Sequence, residues 1–122
     1  MYELKVITYF AAAHQLKMVS EKCENLHGHS WKIEVHVKGE HLNNADVLID
    51  FGVLKMHISD IVSKLDHKFL NDLDYFNTRN PSSENIARYF AESLQAVIGG
   101  DRLNVSRVTA WESEDACATY FY

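Results

Sequence analysis

The sequence predicts an α+β fold, because its outer segments have the pattern of strands and its central segments have the pattern of helices. Two segments near the start and two near the end alternate apolar and polar side chains, as strands do. Two segments between them repeat apolar residues three or four positions apart, as amphipathic helices do. The predicted order is therefore strand, strand, helix, helix, strand, strand, with two helices on one face of a four-stranded sheet.

The strands follow from this alternation. The first is predicted over residues 2–13, and the last two at roughly 103–112 and 116–122. The second, over residues 30–38, would turn one apolar face inward, made of Trp31, Ile33, Val35 and Val37. Aromatic side chains occur at both odd and even positions of the strands, and therefore on both faces of the sheet. Two explanations fit this distribution. Either the core is thick and ordinary, or the second face and the edges of the sheet are buried against copies of the same chain.

The helices are predicted from the residues at their ends and from their apolar stripes. Asp50 is placed to cap the first helix, and Ser82 or Ser83 to cap the second. The pair Gly99-Gly100 would end the second helix. The stripes comprise Phe51, Leu54, Ile58, Ile61, Val62 and Leu65 in the first helix, and Ile86, Phe90, Leu94 and Val97 in the second.

Length and charge narrow the class of protein. A chain of 122 residues suits one domain over residues 1–122, since domains most often have about 100–150 residues. The net charge of −5 argues against nucleic acid as a partner, because phosphate binding needs a basic surface. No apolar run approaches the ~20 residues that span a bilayer, and the alternating first residues do not resemble a signal peptide. With two cysteines, no disulfide scaffold is indicated, and we expect a cytoplasmic protein that is not bound to a membrane.

The segment His27-Gly28-His29 is a candidate metal site. Two histidines two positions apart on extended backbone point to the same side, and the glycine between them relaxes the local backbone. If the first two strands pair antiparallel, His14 would lie near both. Three histidines with a fourth position open are typical of catalytic zinc. The alternative is chance spacing among seven histidines, of which we expect three to be solvated surface side chains: His36, His41 and His57.

Three further positions carry reactive groups. Cys23 lies four residues before His27, and a nearby cation would favour the thiolate form of its side chain. The thiolate could then act as base or nucleophile. Alternatively, Cys23 is a fourth zinc ligand or an inert thiol. Asp66-His67 pairs a carboxylate with an imidazole and suits proton transfer, or is a solvated helix end. Glu112 could accept two parallel N–H bonds from an aminopyrimidine ring, or is a surface charge at a strand end.

Taken in order, five blocks resemble the 6-pyruvoyltetrahydropterin synthase family. The Cys-x-x-x-His-Gly-His block is the most specific and the serine pair the least, and the match spans nearly the whole chain. The blocks are Phe10-Ala-Ala-Ala-His14, Cys23-Glu24-Asn25-Leu26-His27-Gly28-His29, Leu65-Asp66-His67, Ser82-Ser83-Glu84-Asn85 and Trp111-Glu112.

The resemblance implies the tunnelling fold. In that fold each subunit gives a four-stranded antiparallel sheet with two helices on one face. Three subunits close a barrel, and two trimers stack into a homo-hexamer with active sites between subunits. Such an assembly would account for the aromatic side chains on both faces of the sheet.

The resemblance also implies a role for each site residue. His14, His27 and His29 would hold Zn²⁺. The catalytic base would be Cys23, supported by Asp66 and His67 from a neighbouring subunit. Glu112 would anchor the pterin ring, and Ser82 and Ser83, which stand where relatives often carry threonine, would line its pocket.

The implied substrate is 7,8-dihydroneopterin triphosphate, and several products are possible. Three residues between the cysteine and the His-Gly-His segment favour conversion to 6-carboxy-5,6,7,8-tetrahydropterin, acetaldehyde and triphosphate, a step in queuosine and 7-deazaguanine biosynthesis. Longer spacing is typical of members that make 6-pyruvoyltetrahydropterin. Glu24, directly after Cys23, resembles members that also cleave dihydroneopterin substrates to 6-hydroxymethyl-7,8-dihydropterin for folate. Outside enzymes, the alternative is a non-catalytic zinc- or pterin-binding module.

Overall fold

A computed structural model describes residues 1–17 and 25–122 and contains two helices packed against a mixed sheet. The elements in chain order are β1 (Tyr2–His14), β2 (His27–Gly39), α1 (Phe51–Ser63), β3 (Lys68–Phe69), α2 (Ser83–Ile98), β4 (Asn104–Ser113) and β5 (Ala116–Phe121). Two short 3-10 turns, Leu70–Asp72 and Asp74–Phe76, lie between β3 and α2. Within the described ranges, no helix is long and apolar enough to span a bilayer.

The sheet has the strand order β3-β1-β2-β4-β5, which confirms the predicted α+β class. β1 pairs antiparallel with β2, β2 with β4, and β4 with β5. The predicted count of four strands is wrong by one, because β3 adds two residues parallel to β1. Two residues are too short to produce an alternation that sequence reading can detect.

Hydrogen bonds to the backbone of Ala11 explain why β3 forms. The Asp66 Oδ1 atom accepts a hydrogen bond from the Ala11 amide at 3.0 Å, and the His67 amide donates to the Ala11 carbonyl at 2.6 Å. Both polar backbone groups of Ala11 are therefore satisfied by the segment that leaves α1. His67 has φ of 58°, a left-handed conformation that is uncommon for a residue other than glycine. The chain is thus turned sharply onto the edge of β1.

The core lies between the helices and one face of the sheet. The predicted inward face of β2 is confirmed, since Trp31, Ile33, Val35 and Val37 are all fully buried. The predicted caps are also found: the Asp50 side chain accepts from the Val53 amide, and the Ser82 hydroxyl accepts from the Asn85 amide. The ends of both apolar stripes were predicted wrongly. Phe51 is 50% exposed and Val97 58% exposed, because each lies in the terminal turn of its helix at the margin of the core.

The aromatic side chains divide between the two faces of the sheet. Phe10 stacks on Trp31 inside the core, with ring centroids 6.1 Å apart. On the face away from the helices, Tyr9 is 65% exposed and Phe121 70% exposed. A thick core within one chain therefore does not account for all of them.

His36 was predicted to be a solvated surface side chain, and this prediction is wrong, because only 8% of the residue is exposed. The strand register places it between Lys5 on β1 and Arg107 on β4, whose long side chains flank the ring. Burial lowers the pKa of His36, and Arg107 lowers it further, while Glu3 opposes both effects. The neutral ring is therefore the form that the fold favours.

This burial predicts a loss of stability in mild acid. The unfolded chain protonates His36 near its ordinary pKa of about 6.5, whereas the folded chain binds that proton only at lower pH. The free energy of unfolding should therefore fall as pH drops below about 6.5 and through the folded pKa. Urea denaturation from pH 7.5 to 5 should show a shallower decline for His36→Gln than for the wild type. Replacement of the exposed His41 by glutamine should leave the slope unchanged, and equal slopes for all three proteins would contradict the assignment.

Candidate metal centre

Three imidazoles meet where β1 ends and β2 begins. The register pairs His14 directly with His27, as the predicted antiparallel pairing of these strands required. Because side chains on a strand repeat every second residue, His29 projects from the same face as His27. The ring centroids are 4.5 Å apart for His14 and His27, 5.0 Å for His14 and His29, and 4.7 Å for His27 and His29.

Backbone carbonyls fix the orientation of two of these rings. The Nδ1 atom of His14 lies 2.7 Å from the Pro81 carbonyl oxygen, and Nδ1 of His27 lies 2.6 Å from the Asn25 carbonyl oxygen. A carbonyl oxygen only accepts, so each Nδ1 carries a proton, which in a neutral ring leaves the lone pair on Nε2. Metal-binding histidines are oriented in this way by a hydrogen bond from the second ring nitrogen.

Glu112 on β4 completes the group. Its Oε1 atom lies 3.0 Å from Nε2 of His29, 3.3 Å from Nε2 of His14 and 4.0 Å from Nε2 of His27. The four potential ligand atoms all lie within 4.8 Å of one another, and His14 is fully buried while the other three residues are partly exposed. Trp31 packs edge-on against His14 and His29 on the core side of the group.

The electrostatics of this group favour a cation. Burial lowers the pKa of His29, the neighbouring His14 and His27 lower it further, and Glu112 opposes them. The ligand atoms of the three imidazoles and the carboxylate converge, so a cation between them would be attracted by the carboxylate and by the lone pairs of neutral rings. Imidazole nitrogen and carboxylate oxygen are both ligands that divalent transition metals accept. The chemistry of these donors fits a metal ion.

Asp66 and His67 lie beside this centre along the edge of the sheet. His67 lines an open hollow of about 580 Å³ that His29 also lines. The His67 Nε2 atom is 3.7 Å from Asp66 Oδ2, and the imidazole is 82% exposed. Gly28 lines the same hollow, but its φ is not positive, and an added Cβ would meet only the Ala12 carbonyl oxygen at 3.9 Å. Gly28 therefore adopts backbone angles that are open to other residues, and its lack of a side chain leaves the hollow wide.

The remaining predicted site residues divide into two groups. Ser82 is next to Pro81, whose carbonyl orients His14, but its hydroxyl also caps α2. Ser83 begins that helix and is half-buried. Cys23 and Glu24 lie outside the described residues, so their predicted roles stay predictions.

Sequence reasoning missed the position of Glu112 and the carbonyls that orient the rings. The sequence predicted Glu112 as a substrate anchor, which stays a prediction, but gave no indication that its carboxylate lies beside the three imidazoles. One signal was available: Val108, Ala110 and Glu112 alternate along one strand, and the first two are buried. A carboxylate that ends an apolar face points toward the core side of the sheet, where it needs a partner.

The fold and the site define an α+β protein with a possible metal-binding group at the end of its first hairpin, and comparison with known proteins gives the family. The family profile described as 6-pyruvoyl tetrahydropterin synthase matches residues 3–122, so the chain belongs to that family. Its members are lyases, which confirms the predicted enzyme class.

Relatives within the family carry different names. A 6-carboxy-5,6,7,8-tetrahydropterin synthase from Synechocystis is 36% identical over 118 residues, covering 92% of this chain and 87% of the relative. A dihydroneopterin monophosphate aldolase from Pyrococcus furiosus is 36% identical over 106 residues, covering 87% of this chain and 85% of the relative. The solved structure of 6-pyruvoyl tetrahydropterin synthase from Caenorhabditis elegans superimposes with a TM-score of 0.87 at 28% identity, covering 99% of this chain and 95% of that chain.

Proposed function

We propose that the protein is a zinc-dependent enzyme that converts 7,8-dihydroneopterin triphosphate and water to 6-carboxy-5,6,7,8-tetrahydropterin, acetaldehyde and triphosphate, a step toward queuosine. The observation that carries the proposal is the convergence of three imidazoles and one carboxylate at the end of the β1–β2 hairpin. The spacing of Cys23 from His27 supports the carboxy product, as does the similarity to the Synechocystis synthase.

The three imidazoles would hold the zinc, with His14 and His27 kept in position by the Pro81 and Asn25 carbonyls. When bound, zinc supplies Lewis-acid stabilisation of negative charge on the side-chain oxygens of the substrate. Zinc is favoured over harder cations such as Mg²⁺, because nitrogen ligands predominate.

The chain's own groups would move the protons. The Cys23 thiolate would take a carbon-bound proton from the substrate side chain, and Asp66 and His67 would relay protons. The exposure of His67 suits contact with a substrate or with another subunit. Glu112 would accept N–H bonds from the pterin ring, and Ser82 and Ser83 would line the pocket.

The phosphates of the substrate need positive charge near the metal centre. A polar hollow of about 560 Å³ begins at Gln15, the residue after His14, and is lined in part by Lys17 and Arg79. These two cations give the otherwise acidic chain a local region that suits an anionic tail.

Assembly into a homo-hexamer of two stacked trimers is also proposed. Tyr9 and Phe121 are exposed on the open face of the sheet, and burial of that face in an assembly would remove both side chains from water. Trimer closure would also pair the exposed sheet edges. We propose further that residues 1–122 form one domain and that the enzyme acts in the cytoplasm.

A second candidate is cleavage to 6-hydroxymethyl-7,8-dihydropterin, alone or beside the first activity. The similarity to the Pyrococcus furiosus aldolase favours it, together with Glu24 beside Cys23 as a second base. A third candidate is 6-pyruvoyltetrahydropterin synthase activity, which the superposition on the Caenorhabditis elegans enzyme supports.

Product analysis distinguishes these candidates. Zinc-loaded protein given 7,8-dihydroneopterin triphosphate should release acetaldehyde together with 6-carboxytetrahydropterin, identified by mass spectrometry. Hydroxymethyl pterin as the main product would instead support the folate-directed activity. A pyruvoyl product would support the third candidate. Zinc binding without turnover would contradict an enzyme and favour a non-catalytic binding module.

A further inference from the structure

Two asparagine side chains hold the backbone that continues from β1. The pairing of β3 with β1 ends at Ala13, but hydrogen bonds to the chain continue beyond it. The Gln15 amide donates to Oδ1 of Asn71 at 2.9 Å, and the Gln15 carbonyl accepts from Nδ2 of Asn71 at 2.8 Å. Lys17 makes the same two bonds to Asn80, at 3.0 Å and 2.8 Å. We call the side chains of Asn71 and Asn80 the asparagine clasp.

The asparagine clasp takes the place of a neighbouring strand. A primary amide offers a carbonyl oxygen and N–H donors, which are the groups that a peptide unit offers. Each asparagine bonds to both the N–H and the C=O of one residue, as residues of paired strands do. The segment that leaves α1 bonds in the same way to both polar backbone groups of Ala11. Residues 66–80 therefore supply hydrogen-bond partners along this backbone from Ala11 to Lys17.

The elements around the asparagine clasp hold it in turn. Asn71 lies in the 3-10 turn that directly follows β3. The Asn80 carbonyl accepts a hydrogen bond at 2.8 Å from Nδ2 of Asn85, which lies in the first turn of α2. Both clasp residues are partly buried. The clasp therefore ties residues 15–17 to β3 on one side and to α2 on the other.

The backbone held in this way borders the polar hollow of about 560 Å³ that begins at Gln15, and both clasp residues line the same hollow. Among the described residues that line it, the charged ones are Lys17 and Arg79, and both are cationic. The Arg79 guanidinium lies 4.2 Å from the centroid of the Tyr75 ring, a cation–π contact that restricts its position. The Lys17 side chain is exposed and flexible, so its reach depends on where its backbone is held.

We propose that Asn71 and Asn80 are positioning residues for a phosphate subsite in which Lys17 and Arg79 bind the anionic tail of the substrate. The proposal rests on the proposed function for the identity of that tail. Asn80 is the central member, because it follows Arg79 in the chain and its side chain holds the backbone of Lys17. One residue thus links the two cations to each other.

Two linked cations suit an anion with several oxygen atoms. A guanidinium binds phosphate through two parallel N–H bonds, and an ammonium group adds a compact positive charge. A triphosphate has enough oxygen atoms to contact both groups at once. Removal of either cation, or of the link between them, should therefore weaken its binding.

The experiment measures binding of inorganic triphosphate to the full chain by calorimetry, with zinc removed so that the probe cannot bind the metal instead. Lys17→Gln and Arg79→Gln should each weaken binding by about ten-fold, the effect of losing one charge-assisted hydrogen bond. Asn80→Ala should weaken it by a similar factor, although both cations remain. The matched control is Asn77→Ala, which should bind like the wild type. Asn77 is an exposed asparagine of the same hollow, and within the described ranges its side chain makes no hydrogen bond.

A second measurement reports directly on the position of the backbone. Amide hydrogen exchange followed by NMR should become faster at Lys17 in Asn80→Ala and at Gln15 in Asn71→Ala, because each variant removes the acceptor of that amide. The amide of Trp31, in the buried part of β2, should keep its exchange rate in both variants. A general loss of stability would instead speed exchange at all three positions.

Several results would overturn the proposal. Wild-type protein that does not bind triphosphate, or binding that ignores Lys17→Gln and Arg79→Gln, would exclude the subsite. Wild-type affinity in a folded Asn80→Ala variant, checked by circular dichroism, would exclude the positioning role, as would weaker binding with unchanged exchange at Lys17. If Asn80→Ala does not fold, Asn71→Ala tests the clasp, and Lys17→Gln, which changes only an exposed side chain, tests the subsite. Turnover of 7,8-dihydroneopterin triphosphate by zinc-loaded protein is a separate measurement, so failure of the proposed function is distinguishable from failure of this proposal.

Discussion

A His14→Ala variant is expected to bind zinc at least about 100-fold more weakly than the wild type and to lose measurable turnover. His14 is the fully buried member of the metal group, and its Nδ1–H is held by the Pro81 carbonyl. Alanine would remove one of the proposed ligands and would also leave that buried carbonyl without its donor. Zinc content after dialysis and chelator competition measure the first effect, and a product assay measures the second.

Loss of the buried hydrogen bond should also lower the free energy of unfolding by about 1–3 kcal/mol. Thermal denaturation of zinc-free protein separates this cost from the loss of metal, because the wild type then lacks the metal as well. His41→Ala, an exposed substitution distant in sequence, is the matched control and should change neither quantity. A folded His14→Ala protein that keeps stoichiometric zinc would contradict the proposed centre.

The histidine triad could be predicted because its geometry is local. Alternation along a strand puts His27 and His29 on one side, and a hairpin puts His14 opposite His27. The capping residues Asp50 and Ser82 were predictable for the same reason, since a cap depends on three neighbouring residues.

The features that sequence reading missed depend on contacts between distant segments. Glu112 reaches the metal group only because β4 pairs with β2 in one register, across about eighty residues of chain. β3 exists only because the segment after α1 bonds to Ala11. His36 occupies a polar position of the strand pattern, and its burial depends on the side chains of two neighbouring strands.

A Cys23→Ala variant is expected to lose about 10²–10⁴-fold in kcat while keeping its zinc. The prediction rests on the sequence, since Cys23 lies outside the described residues. The metal group already has four candidate ligands without it, so removal of the thiol should leave chelator competition unchanged. The proton transfer assigned to the thiolate should be lost, which lowers kcat far more than it changes KM.

Cys117→Ala is the matched control, because Cys117 is the exposed reduced cysteine on β5 and should be dispensable for both zinc binding and turnover. If Cys23→Ala instead loses zinc, the thiolate is a ligand, and a centre of three histidines and one cysteine replaces the one proposed here. That outcome would also remove the reason for Glu112 to bind the metal, since a tetrahedral ion has one position beyond three imidazoles. The zinc content of Cys23→Ala therefore decides whether the thiol binds zinc or is left for proton transfer.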